Sequence, residues 1–205
     1  MTSSSKSGTV AAKRIKPQSG IEVTSIAASF KIGCAIDFEI LKHQIVNFEF
    51  NTQKHNAMII RQRDPRVTLL LFSSGSCVIT GAISEESIKK AVRQFLRRLQ
   101  KLGYLVKYNG YQVNSVSGAF NTGFPLDVTK LQNSGFGRFF YNPERFCGGV
   151  LRYEAKKSAM IFHTGAVTMA GAKSIKELEE DYSYILFITH SLRNEPLREE
   201  SSELS

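Results

Sequence analysis

Three cysteines and four histidines are the side chains that could ligate a metal or act as nucleophiles. Their spacing supports neither role. Cys34, Cys77 and Cys147 are odd in number and share no C-x-x-C pair, which disfavours zinc and a disulfide framework and fits a reducing intracellular compartment. His43, His55, His163 and His190 stand at no ligand spacing. The G-x-S-x-G, G-x-x-x-x-G-K-[ST] and H-E-x-x-H patterns do not occur, and Gly135-Phe136-Gly137 reads as a loop. Neither an enzyme nor a cofactor is expected. What the residue types do support is polyanion binding. The net charge of +9 is uneven: residues 1–108 carry 17 Lys/Arg against 7 Asp/Glu, and residues 109–205 carry 10 against 11. The first half has an electrostatic footprint suited to a polyanion, or is a merely solvated basic surface; the second half has no such footprint.

The elements that must position these charges centre on residues 57–101. Two apolar strands, residues 57–63 and 67–72, flank the turn Asp64-Pro65-Arg66, and residues 77–80 complete a hairpin around Ser73-Ser74-Gly75. Leu69, Leu70, Leu71 and Phe72 do not alternate with polar residues, so both faces of the middle strand are apolar. A helix capped by Ser84, with Glu85 and Glu86 at the positive end of its dipole, can cover only one of them. Ile88, Val92, Phe95, Leu96 and Leu99 form its expected buried stripe. Lys89, Lys90, Arg93, Arg97, Arg98 and Lys101 form its outer face, which is either simply solvated or a partner surface. Gly103 ends it. Something else must cover the second sheet face.

The stretch occurs twice. At an offset of 90 residues Ser25, Phe30, Gly33, Asp37, Leu41, Phe50, Phe72, Gly75, Gly81, Ala82 and Ser84 recur as Ser115, Phe120, Gly123, Asp127, Leu131, Phe140, Phe162, Gly165, Gly171, Ala172 and Ser174. Each copy reads strand, short helix, four strands, long helix. In the first, residues 21–30 are a strand, 37–45 a helix and 46–50 a strand. In the second, strands are expected at 111–120, 139–141, 148–153, 158–162 and 167–170, with a short helix at 126–132. The capping box Ser174-x-x-Glu177 opens a final, acidic helix running to about His190. The expected organisation is a disordered tail at 1–20, repeats at 21–108 and 109–191, and a polar tail at 192–205. Residues 11–17, Ala-Ala-Lys-Arg-Ile-Lys-Pro, are either a nuclear-import patch or a solvated basic tail. With no run of about 18 apolar residues and no signal-peptide core, no membrane span or secretion is expected.

The motif Arg-Gln-Arg-Asp-Pro-Arg (61–66), followed by Leu-Leu-Leu-Phe-Ser-Ser-Gly (69–75), Val-Ile-Thr-Gly-Ala (78–82) and Gln-Lys-Leu-Gly-Tyr (100–104), resembles the first repeat of the TATA-box-binding protein core. Met-Ile-Phe-His-Thr-Gly (160–165) and Ala-Gly-Ala-Lys (170–173) resemble its second repeat. The resemblance covers roughly residues 20–190. It implies an α+β fold: a saddle-shaped, pseudo-two-fold duplicated antiparallel sheet of about ten strands, with helices on the convex face. The concave face would lie on the minor groove of double-stranded DNA and thus cover the second apolar face, with phenylalanine wedges and a bent duplex known in that family. The resemblance places Phe72, Phe146 and Phe162 at three of the four wedge positions and His55 at the fourth.

It also places Ser25 and Ser115 where the family has base-contacting asparagines, and Ala27 and Ser117 where it has groove-floor valines. Thr80 is retained, while its counterpart is Ala170. Ser76 and Ala166 replace phosphate-binding lysines. Arg61, Arg63 and Arg66 are retained, Lys156 and Lys157 loosely fill the second-repeat positions, and Leu70, Val78, Arg152, Met160 and Thr168 join the same surface. Serine is shorter than asparagine and offers fewer hydrogen bonds, so relaxed TATA preference is expected. The implied partners are general transcription factors A and B or their relatives and RNA polymerase initiation factors, at the basic helix and at Asn142, Pro143, Glu144 and Arg145, where Arg145 replaces an apolar residue. No small-molecule substrate is implied, and the expected compartment is the nucleus. The leading reading is a core-promoter initiation factor that binds and bends DNA and nucleates a preinitiation complex. The alternatives are an adaptor that keeps the protein contacts with weak DNA binding, and a ligand-cavity protein, against which the duplication argues.

Overall fold

Alternation of exposure along each strand shows which side chains face the helices. The computed structural model describes residues 20–44, 48–50 and 57–193. In chain order the strands are β1 (Glu22–Lys31), β2 (Phe48–Phe50), β3 (Ala57–Arg63), β4 (Arg66–Phe72), β5 (Ser76–Ala82), β6 (Tyr111–Asn121), β7 (Arg138–Phe140), β8 (Gly148–Arg152), β9 (Ser158–Phe162) and β10 (Ala166–Ala172). The helices are α1 (Phe38–Leu41), α2 (Glu85–Lys101) and α3 (Ile175–Ser191), with one 3-10 turn at Val128–Asn133. The strands hydrogen-bond in the order β2-β3-β4-β5-β1-β6-β10-β9-β8-β7. The chain divides into two compact units; among the described residues one holds 28–112 and the other 20–27 with 113–193, so β1 contributes to both.

In the first unit Val67, Leu69, Leu71, Cys77 and Ile79 are buried against α2, while Thr68, Leu70, Phe72, Val78 and Thr80 are only half-buried on the opposite face. The helix starts because the Ser84 hydroxyl accepts the Ser87 N–H at 3.2 Å, and Glu85 and Glu86 occupy the first turn. It buries Ile88, Ala91, Val92, Phe95, Leu96 and Leu99. Burial of a side chain the size of Phe95 or Leu99 contributes about 2 kcal/mol.

The second unit repeats this frame. The 90-residue offset relates β2 to β7, β5 to β10 and α2 to α3 residue for residue. It also carries over to tertiary hydrogen bonds. Ile32 N–H donates to the Gly75 carbonyl and Thr122 N–H to the Gly165 carbonyl, both at 3.0 Å; Ile36 N–H donates to Ser73 and Leu126 N–H to His163, both at 2.9 Å. The β4–β5 and β9–β10 turns are therefore docked on the segments that follow β1 and β6. Gly75 sits at φ 81°, where an added Cβ would lie 2.1 Å from the Cys34 carbonyl oxygen. Gly81, at φ 85°, has nothing closer than 3.9 Å. Gly75→Ala is therefore expected to cost on the order of 3 kcal/mol and Gly81→Ala about 1 kcal/mol, which urea denaturation of the two variants would compare.

Four details differ from the sequence expectations. The first short helix spans only Phe38–Leu41, capped by Asp37, whose carboxylate accepts the Glu39 N–H at 2.8 Å. Its counterpart is a 3-10 turn at Val128–Asn133, not an α-helix over 126–132. Asp127 Oδ1 accepts both the Thr129 N–H and the Thr129 hydroxyl, tightening the turn. At α3, Ser174 accepts the Glu177 N–H at 3.1 Å, but Glu177 returns to the Lys173 N–H at 2.6 Å, one residue before the usual capping-box partner. Order also continues past 191: Leu192 is buried, its carbonyl accepts the Asp127 N–H at 2.8 Å, and Arg193 bridges to Leu126. The expected tails at 1–19 and 194–205, with the basic patch at 11–17, lie outside the described residues.

Candidate nucleic-acid interface

Cross-strand register assembles the half-buried face into rows. In the first unit Ile59, Leu70 and Val78 stand side by side, Arg61 is beside Thr68 and Thr80, Arg63 pairs with Arg66, and Phe72 faces Ala57. An apolar floor thus runs into arginines at one end, because the β3–β4 turn brings Arg63 and Arg66 opposite each other. The floor residues alternate with buried ones, and no described element of this unit packs over them. Ser76 lies on the same side of β5. Ser25 and Ala27 occupy half-buried positions on β1.

In the second unit the matching row is Phe140, Val150, Met160, Thr168 and Ala119, and the next is Arg138, Arg152, Ser158, Ala170 and Ser117. Phe140 is 50% exposed and Met160 36%, and the Arg152 guanidinium lies 5.6 Å from the Phe140 ring centre. Ser115 and Ala166 are half-buried on the same strand faces as Ser117 and Thr168.

Phe162 and Phe146 meet edge to face, with centroids 5.6 Å apart and planes at 68°. Gly148 beneath them makes this possible, since a Cβ there would lie 2.8 Å from each ring. Phe146 keeps 42% of its surface exposed, so the pair forms an apolar edge facing solvent. Large rings held against one another are suited to insertion between stacked base pairs, which costs a few kcal/mol per step and needs a stiff apolar wedge. His55 lies outside the described residues.

Lys157 departs from its expected place. It is not on the open face; its side chain is 11% exposed and its ammonium lies 2.7 Å from Glu177, 3.0 Å from Asp181 and 3.3 Å from Glu154. Burial works to lower its pKa, but hydrogen bonds to Glu177, Asp181 and Glu154 outweigh it and hold the ammonium above the usual lysine range. Glu177 is held below the ordinary carboxylate value chiefly by its hydrogen bond from Lys157. Asp181 is pushed up because its burial outweighs Lys157's help. A lysine so engaged anchors the β8–β9 connection to α3. It is unavailable to a phosphate. Lys156 is the exposed lysine of that connection.

The expected partner residues are all solvent-facing. On α2 these are Lys89, Lys90, Arg93, Arg97, Arg98 and Lys101; Lys90 holds Asp64 at 2.9 Å, and Lys89 reaches Glu85 at 3.9 Å. Asn142, Pro143, Glu144 and Arg145 form the exposed loop before Phe146, where the Asn142 side chain accepts the Glu144 N–H at 3.2 Å. Cys77 is buried, and desolvation raises its thiol pKa to about 12, which removes it as a nucleophile.

Comparison with known proteins agrees with this frame. Residues 20–102 and 110–189 each match the sequence model of the family described as transcription factor TFIID, or TATA-binding protein. The chain is 32% identical over 178 residues to the TATA-box-binding protein of Saccharomyces cerevisiae, covering 85% of this chain and 74% of that protein. It is 33% identical over 175 residues to that of Acanthamoeba castellanii, covering 84% and 68%. Among solved structures, Methanococcus jannaschii TBP superposes with a TM-score of 0.74 at 27% identity, over 84% of this chain and 99% of that one. The α+β duplicated antiparallel fold is thus the fold of that structure, and this chain belongs to the TATA-binding protein family.

Proposed function

We propose that the open face of the strands binds the DNA minor groove and that the chain acts in the nucleus as a general transcription initiation factor, bending core-promoter DNA and seeding a preinitiation complex. The supporting observation is the row of half-buried apolar side chains, Leu70 and Val78 in one unit and Val150 beside the exposed Met160 in the other, bordered by arginines and by the Phe146–Phe162 edge. Apolar surface of this kind gains by being covered, at about 25 cal/mol per Å², and the arginines suit phosphates along the groove rim.

Preference for TATA over other sequences is relaxed in this reading. Ser25 and Ser115 stand where the family has asparagines, and a hydroxyl supplies one donor to base edges that are already degenerate in the minor groove. At fixed salt, fluorescence anisotropy is expected to give a TATA-to-scrambled affinity ratio of about tenfold or less. A ratio above about a thousandfold, in the range of strongly specific binders, would overturn the relaxed reading.

A second reading, an adaptor acting mainly through proteins, draws support from the loss of phosphate-binding cations: Ser76 and Ala166 replace lysines, and Lys157 is held by carboxylates. In either reading the exposed cations of α2 and the loop at 142–145 are the surfaces offered to general transcription factors A and B or their relatives and to polymerase initiation factors. Absence of binding to either duplex, with retained capture of an initiation factor, would favour the adaptor.

A further inference from the structure

We propose that a cleft between the end of β3 and the C-terminal half of α2 binds a nucleotide carrying several phosphates. The cleft is open to solvent, has a volume of about 500 Å³ and is lined by Arg61, Arg63, Arg97, Arg98 and Lys101, with Gln62 in its wall and Asp64 its one carboxylate. Both Asp64 oxygens are taken by Lys90 at 2.9 Å, so Asp64 does little to neutralise the cleft. Among the described residues no ion pair engages Arg63, Arg97, Arg98 or Lys101. The C-terminal end of α2 contributes roughly half a negative charge, far less than four cations. A single carboxylate would leave most of that charge uncompensated, whereas a polyphosphate matches it, and guanidinium forks fit phosphate oxygens two at a time.

Gln62 adds an independent requirement. It is 7% exposed, and neither its amide nitrogen nor its amide oxygen has a hydrogen-bond partner. Leaving both unmet costs stability, and rotation of the amide toward the cleft would let a ligand with a donor beside an acceptor meet both at once. A nucleobase edge has that pairing, as when glutamine grips the N6 and N7 of adenine. The volume lies within the range of small-ligand sites. A free nucleotide and a nucleotide in a single strand share this chemistry.

Titration calorimetry of the full chain without magnesium tests it, using ATP, inorganic tripolyphosphate, an oligo(dA) strand and a glutamate-rich peptide as probes. ATP is expected to bind at one site, more tightly than tripolyphosphate. Arg97→Ala with Arg98→Ala should weaken both at least tenfold. Gln62→Leu should remove only the advantage of ATP over tripolyphosphate, and Lys176→Ala on α3 should change neither. Oligo(dA) binding more tightly than ATP, with the same response to the variants, supports the site and makes the strand its source. Unchanged ATP binding in the double variant, or tighter binding of the glutamate peptide than of ATP, overturns the proposal.

Discussion

Replacing Lys157 with methionine is expected to cost about 3–5 kcal/mol of unfolding free energy, the loss typical when one member of a buried ion pair is removed. The substitution keeps the length of the side chain but strands Asp181, which is 8% exposed and already has one oxygen without a partner. Lys156→Met, on the exposed neighbour, should change stability by less than about 0.5 kcal/mol. The pH dependence carries a sign. Glu177 has a folded pKa below 4.5, so the stability it contributes is present above that value and lost as pH falls through its lower folded pKa. In Lys157→Met the principal cause of that depression is gone, so the acid-induced loss of stability arising from Glu177 should shrink. Urea midpoints at neutral pH and in acid for the parent and the two variants check both statements.

Phe162→Ala and Phe72→Ala are expected to lower duplex affinity by about thirtyfold each, the roughly 2 kcal/mol effect of deleting an interface anchor, while lowering stability by no more than about 1 kcal/mol. Both side chains are half-buried on the open face, and Phe162 makes its ring contact with Phe146, which is itself 42% exposed. A core phenylalanine behaves in the opposite way: Phe95, 1% exposed, should cost about 3–5 kcal/mol on truncation to alanine. Parallel anisotropy and denaturation measurements on the three variants separate a groove wedge from a core residue. Losses above about 3 kcal/mol at positions 72 and 162 would make them core and leave the open face without its wedges.

Much of this was legible because the relevant signals are local. Serines at 84 and 174 announce the two long helices, and the 90-residue echo extends to the hydrogen bonds that dock the hairpin turns. The unbroken apolar run at 69–72 states that both faces of β4 meet something apolar. Legibility ends where a side chain's partner is distant in sequence. Nothing around Lys157 indicates that its ammonium turns toward Asp181, 24 residues away, and its position in the repeat pointed to a phosphate role instead. Gln62 reads as one more polar residue in a basic turn; only packing reveals that its amide is buried and unpartnered. Asp127 and Thr129 could have signalled the 3-10 turn, since a side chain that accepts two hydrogen bonds two residues onward competes with an α-helical start.

In the proposed function the open strand face engages and deforms duplex DNA. Fluorescence energy transfer between dyes at the two ends of a short duplex, with the parent chain and with Phe72→Ala combined with Phe162→Ala, measures it at fixed salt. The parent chain should shorten the end-to-end distance of a TATA duplex, and of a scrambled duplex to a comparable degree. The double variant should bind weakly and leave the duplex straight. A parent chain that leaves both duplexes straight, or a double variant that bends them as well as the parent does, would contradict the assignment of this face to DNA.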